Sequence, residues 1–140
     1  MAELAIVKLS TPHETLHPEF FFGARQHEGD LDFKEDSEAF KKLQEIADQV
    51  PTVVIVDMDR PAILTNIRNL ATGLIATFGA DDGSLVEWLL HNNNAQELAT
   101  GRLPFSLPKS MDSVRAQSVD KPLDDADPLY PMGFGFLGSD

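Results

Sequence analysis

Residues 52–58 read TVVIVDM, a β-branched run that ends on a carboxylate and a thioether. Val, Ile and Thr are stiff at χ1 and suit the pleated surface of a sheet. The run is continuously apolar between Val53 and Val56 rather than alternating. That pattern belongs to a strand buried on both faces, as in a parallel sheet. Pro51, directly before it, stops any helix that precedes.

Working outward, Phe40, Leu43, Ile46, Ala47 and Val50 fall on one helical face, with Lys41, Lys42, Glu45 and Asp48 elsewhere. Asp32 and Glu35 have the spacing of a capping box, so a helix is expected from there to about Gln49. Residues 4–9, LAIVKL, form a second strand candidate, ended by Ser10-Thr11-Pro12. A long irregular loop, residues 11–31, separates it from the helix. Downstream, a short helix is expected over 61–69 behind Pro61. Residues 73–78 form a third apolar run, and Gly79 turns the chain. A helix capped by Asp82 or Ser84 should bury Leu85, Leu89 and Trp88 and end in His91-Asn92-Asn93-Asn94. Strands alternating with amphipathic helices define an α/β fold: a three-layer sandwich fragment with a short, mostly parallel sheet and helices on both faces. Helical crossovers make the three strands adjacent and parallel. Three strands are few for an independent doubly wound sheet, so an edge is left unpaired.

Residues 100–140 complete this single domain as an irregular C-terminal strap. Between Gly101 and Phe136 lie five prolines and three glycines, yet Leu103, Phe105, Leu107, Leu129, Tyr130, Phe134 and Phe136 recur among them. A disordered tail is poor in aromatics, and a flexible linker is Gly/Ser-rich. This segment is instead expected to be pinned to the folded body by its apolar residues.

Composition excludes several function classes. Twenty-three acidic against 11 basic residues give a net charge of −12, which opposes phosphate backbones and anionic lipid. No nucleic-acid or membrane partner is expected. No apolar run approaches the ~18 residues that span a bilayer. MAELAIVKLS lacks the basic region and cleavage site of a secretory leader, so the chain as expressed is cytoplasmic and its natural location stays open. Without cysteine there is no disulfide, thiolate metal site or thiol nucleophile. No phosphate-binding glycine loop or serine elbow appears. His13 and His17 have an i, i+4 spacing, but Pro12 and Pro18 deny it a helix, so no metal and no cofactor are expected. Asp59 beside Arg60 reads as a turn-fixing ion pair.

Four segments carry a resemblance. GRLPFSLP begins at Gly101 and DPLYPMGFGF at Asp127; upstream lie Asp59-Arg60-Pro61-Ala62-Ile63-Leu64 and Phe78-Gly79-Ala80. In this order they resemble the C-terminal part of the second domain of glycoside hydrolase family 3, which holds β-glucosidases, β-xylosidases and β-N-acetylhexosaminidases. The resemblance implies half of a six-stranded sandwich, whose other half and β/α barrel lie elsewhere. The barrel carries the family's nucleophilic Asp, and nothing here matches its motif. It also implies a retaining hydrolysis of β-glycosides, which needs two carboxyl groups. Thr11-Pro12-His13-Glu14 is similar to the family's "[AT]-P-Y-E", with His13 where Tyr is usual. Glu14, in the loop after the first strand, is therefore the candidate general acid/base. Glu28 is the runner-up, and Arg25, Gln26 and His27 are candidate donors to sugar hydroxyls. Phe20-Phe21-Phe22 reads either as a sugar platform or as a surface for the missing domain. The chain alone should be inactive, with a carbohydrate and either the barrel or a second copy as partner. The alternative is a non-catalytic module that binds carbohydrate or self-associates.

Overall fold

The computed structural model describes residues 2–91, 100–121 and 123–136. Its sheet has three strands, β1 (Ala5–Ser10), β2 (Thr52–Asp57) and β3 (Gly73–Thr77), in the order β1-β2-β3. Both pairings are parallel, with Val7 opposite Val54 and Val54 opposite Leu74. The fold is the α/β sandwich fragment expected.

Burial along β1 alternates strictly, which sorts the two faces of the sheet. Val7 and Leu9 share a face with Val54 and Val56 of β2 and with Leu74 and Ala76 of β3. Helix α1 (Glu38–Ala47) packs there through Phe40 and Leu43, and helix α2 (Thr65–Leu70) through Ile67. Leu43, Val54, Val56 and Ile67 are each fully buried. Burying such a side chain is worth about 1.5–3 kcal/mol. The other face carries Lys8 and Ile55. There Lys8 Nζ binds Asp82 Oδ1 at 2.6 Å, at the start of helix α3 (Asp82–His91), and Ile55 and Leu85 are buried.

Helix starts differ from expectation. Ser37, not Asp32, caps α1: its hydroxyl accepts from Phe40 N at 3.3 Å, while Asp32 pairs with Ile63 in an isolated parallel bridge. Ile63 is held in that bridge, its N–H donating to Leu31 O at 2.9 Å, and α2 begins at Thr65 rather than behind Pro61. Asp81 caps α3, accepting from Ser84 N at 3.0 Å and from its hydroxyl at 2.6 Å. These two donors hold the Asp81 carboxyl below its usual pKa. Trp88 is only half-buried, because α3 buries little beyond Leu85. The Asn92–Asn94 helix end lies outside the described residues.

The strap doubles back on itself. Leu107 N donates to Tyr130 O at 2.8 Å and Leu103 N to Phe134 O at 2.9 Å. Leu107, 1% exposed, enters the core, with Leu103, Phe105, Leu129 and Tyr130 partly buried around it. Phe105 meets Phe78 edge-on at 6.0 Å, and Arg68 lies over Tyr130 at 5.7 Å. Phe136 is exposed and is no anchor. The strap is also less irregular than expected: a short helix, α4 (Met111–Ala116), starts on a Ser110–Ser113 capping box. None of the described helices is long and apolar enough to cross a membrane.

Candidate active site

All three strands point their carboxyl ends the same way, and in open α/β sheets ligands bind outside that edge. The chain leaves β1 at this edge into the loop that bears every candidate site residue. The loop closes on itself: Glu14 and Glu28 form an antiparallel bridge, with Glu14 N to Glu28 O at 2.9 Å and Glu28 N to Glu14 O at 3.1 Å. The backbones of the two candidate residues are thus paired.

Their environments differ. The Glu28 carboxylate accepts from Leu16 N and His17 N, both at 3.2 Å, and lies 2.8 Å from His17 Nδ1. The contact with His17, together with the two amides, holds its pKa below the usual value. Glu14 is exposed, and its carboxylate has no hydrogen bond or ion pair among the described residues. It lines an open cleft of about 290 Å³ with His13, Asp30, Asp32, Lys34 and Ser37. Gly29 makes room for it. At φ +79° it adopts a conformation that side chains disfavour, and a Cβ there would stand 2.5 Å from Glu14 Oε2.

His27 places Nδ1 against the Asp59 carboxylate, and its ring lies flat on His13 with centroids 3.8 Å apart. His13, the departure from an expected Tyr, is one half of this stacked pair. Arg25, in the 3-10 turn Gly23–Arg25, and Gln26 are exposed, with no side-chain partner among the described residues. A Cβ on Gly23 would overlap His17 O at 1.7 Å, so this turn is packed tightly against the loop's own backbone. The three consecutive phenylalanines stand outside it: Phe21 is 94% exposed and meets Phe22 edge-on at 4.7 Å, while Phe20 stacks on His17 at 4.9 Å.

The Asp59–Arg60 ion pair does not form. Each side chain instead holds a different part of the loop. Asp59 accepts from the Thr11 hydroxyl and contacts His27, and these contacts, the hydroxyl first, lower its pKa. Arg60 donates to the carbonyls of Glu28 at 2.7 Å and Gly29 at 2.8 Å. Sequence reasoning missed both roles, because adjacency along the chain suggested a partner that lay across the loop. Asp57 at the end of β2 is bound by Gly79 N at 2.8 Å and the Thr77 hydroxyl at 2.9 Å, and both depress its pKa. No group of three or more acidic or histidine side chains suited to a metal ion exists among the described residues.

No protein-family model matches the chain. Individual proteins do. It is 42% identical over 134 residues to a periplasmic beta-glucosidase/beta-xylosidase of Dickeya chrysanthemi. It is 34% identical to a probable beta-glucosidase C of Aspergillus oryzae and 31% to beta-glucosidase C of Emericella nidulans, again over 134 residues. Each match takes in 96% of this chain but only 20% of the relative's length. With nearly all of the chain matched to about a fifth of each relative, and with this sheet and these segments, the chain fits a C-terminal fragment of a glycoside hydrolase family 3 protein.

Proposed function

We propose that this chain supplies the acid/base side of the cleft of a retaining β-glycosidase, with Glu14 as the residue that protonates the leaving oxygen. The contrast between Glu14 and Glu28 carries this reading. A general acid must hold a proton until the bond breaks and then release it to the substrate. Glu28 is poorly suited, because His17 and two amides stabilise its ionised form. Glu14 lines an open cleft with no hydrogen bond or ion pair among the described residues, Lys34 being its cationic neighbour there.

In the first half-reaction the nucleophile, on a barrel domain outside these residues, attacks the anomeric carbon as Glu14 gives its proton to the departing glycosidic oxygen. In the second, Glu14 takes a proton from water, which displaces the enzyme from the same carbon. Arg25 and Gln26 offer exposed donors to sugar hydroxyls, and the ring of His27, fixed by Asp59, offers an edge beside them. The substrate is a β-glycoside, and its hydrolysis needs a barrel domain's nucleophile in addition to these residues.

The test is complementation with the remainder of a related β-glucosidase, using aryl and alkyl β-glycosides of graded leaving ability. Glu14→Gln should slow poor leaving groups by about 10²–10⁴-fold and activated aryl groups far less. Glu28→Gln should lack that dependence. Its appearance at Glu28 instead, or equal loss for every substrate at Glu14, moves the assignment. A second reading, a non-catalytic module that binds carbohydrate or self-associates, is favoured by the exposure of Phe20, Phe21 and Phe22. It takes over if the complemented pair hydrolyses no β-glycoside.

A further inference from the structure

We propose that Arg60 is a positioning residue for Glu14, acting through the backbone of Gly29; the inference rests on the reading of Glu14 as the acid/base group. The Arg60 guanidinium spans two consecutive carbonyls, Nη1 to Glu28 O at 2.7 Å and Nη2 to Gly29 O at 2.8 Å. A planar charged fork on two acceptors fixes direction as well as distance. Asp59 is its neighbour in sequence and Glu28 is one of the two residues it grips, yet the fork is spent on neutral carbonyls. Both gripped residues bear on Glu14. Glu28 exchanges its N–H and C=O with Glu14 across the bridge. Gly29 passes so close to the Glu14 carboxyl that even a methyl group would collide with it. Gly29 is the floor on which the Glu14 side chain rests, and Arg60 sets the height of that floor. Asp59 completes the grip by holding Thr11, where the loop departs from β1.

The test has two arms. In this chain, Arg60→Met keeps an unbranched stem as long as the arginine's Cβ–Nε portion and removes the guanidinium donors. Amide hydrogen exchange at Glu14 and Glu28 should quicken by about tenfold or more, with Leu43 and Val54 keeping their protection. In the complemented enzyme the same variant should lower kcat on poor leaving groups by about 10–100-fold at unchanged KM, sparing activated ones. Arg60→Lys, which keeps the charge and can reach a carbonyl, should recover part of both. Gly29→Ala should give the same leaving-group signature with the clamp intact; if Arg60→Met does not fold, Arg60→Lys serves, since one ammonium cannot span both carbonyls and exchange at Glu14 should still quicken. Unchanged exchange at Glu14 in Arg60→Met overturns the proposal. Equal slowing of all substrates by Arg60→Met, while Glu14→Gln discriminates among them, also overturns it and leaves Glu14 standing. If Glu14→Gln itself shows no discrimination, the acid/base reading falls, and the positioning role falls with it.

Discussion

Replacing Leu107 by Ala should expose what the strap contributes to the fold. Leu107 is 1% exposed and sits in the same cluster as Val54, Val56 and Ile67, far from it in sequence. The change withdraws three carbons from the core. At about 0.8 kcal/mol for each buried carbon group, the transfer term alone is about 2.4 kcal/mol. Any cavity that the neighbours fail to fill raises the loss toward about 5 kcal/mol. The backbone of Leu107 accepts from Leu129 N and donates to Tyr130 O, both at 2.8 Å, so relaxation by backbone movement is restricted and the upper half of that range is expected. Against a total stability of about 5–15 kcal/mol, this is a large fraction. Urea unfolding followed by circular dichroism measures it, with Phe136→Ala as the control. Phe136 is larger but 60% exposed, and its removal should stay within about 0.5 kcal/mol. If Leu107→Ala costs under about 1 kcal/mol, or Phe136→Ala costs as much as Leu107→Ala, the strap is not anchored as described.

Two further outcomes follow from local chemistry. Ser37→Ala should destabilise the chain by about 1 kcal/mol in urea titration through loss of the α1 cap, whereas Glu35→Ala, outside the cap, should be near neutral. Asp57 has a folded pKa below its unfolded value, chiefly through Gly79 N–H and then Thr77. The stabilisation it gives is therefore fully present above the unfolded carboxyl pKa of about 3.9 and disappears as pH falls through the lower, folded value. Stability-versus-pH curves of the native chain and Asp57→Asn should converge in acid and separate above it; separation that grows on acidification would contradict the assignment.

The sheet was legible because its signals are strong and local: Val53 to Val56 can hardly be anything but a buried strand, and the spacings between runs leave room for helical crossovers. Helix starts were less so. Asp32 and Ser37 both suit a cap, and only the pairing of Asp32 with Ile63, a contact made across the fold, decides between them. The strap's apolar residues marked most of the anchors, but Phe136 carries the same chemistry as Phe105 and stays in solvent. At the candidate site, loop position placed Glu14 and Glu28 on one segment. It could not reveal that their backbones pair, nor that neighbouring side chains at 59 and 60 reach different stems of the loop. One signal was available: Gly29 follows Glu28 in a polar stretch, and a glycine there hints at close backbone approach.

The pairing of Glu14 with Glu28 also separates the chain into a stem and a lobe. Residues between them can change in number while the stem stays gripped by Asp59 and Arg60. The entropy of closing a flexible loop rises only logarithmically, by about 0.6 kcal/mol for each doubling of length. Lengthening or replacing the lobe is therefore thermodynamically cheap. The segment from Glu19 to Phe22, three phenylalanines included, holds none of the candidate site residues, so a lobe altered in length there would keep a rigid base beside Glu14.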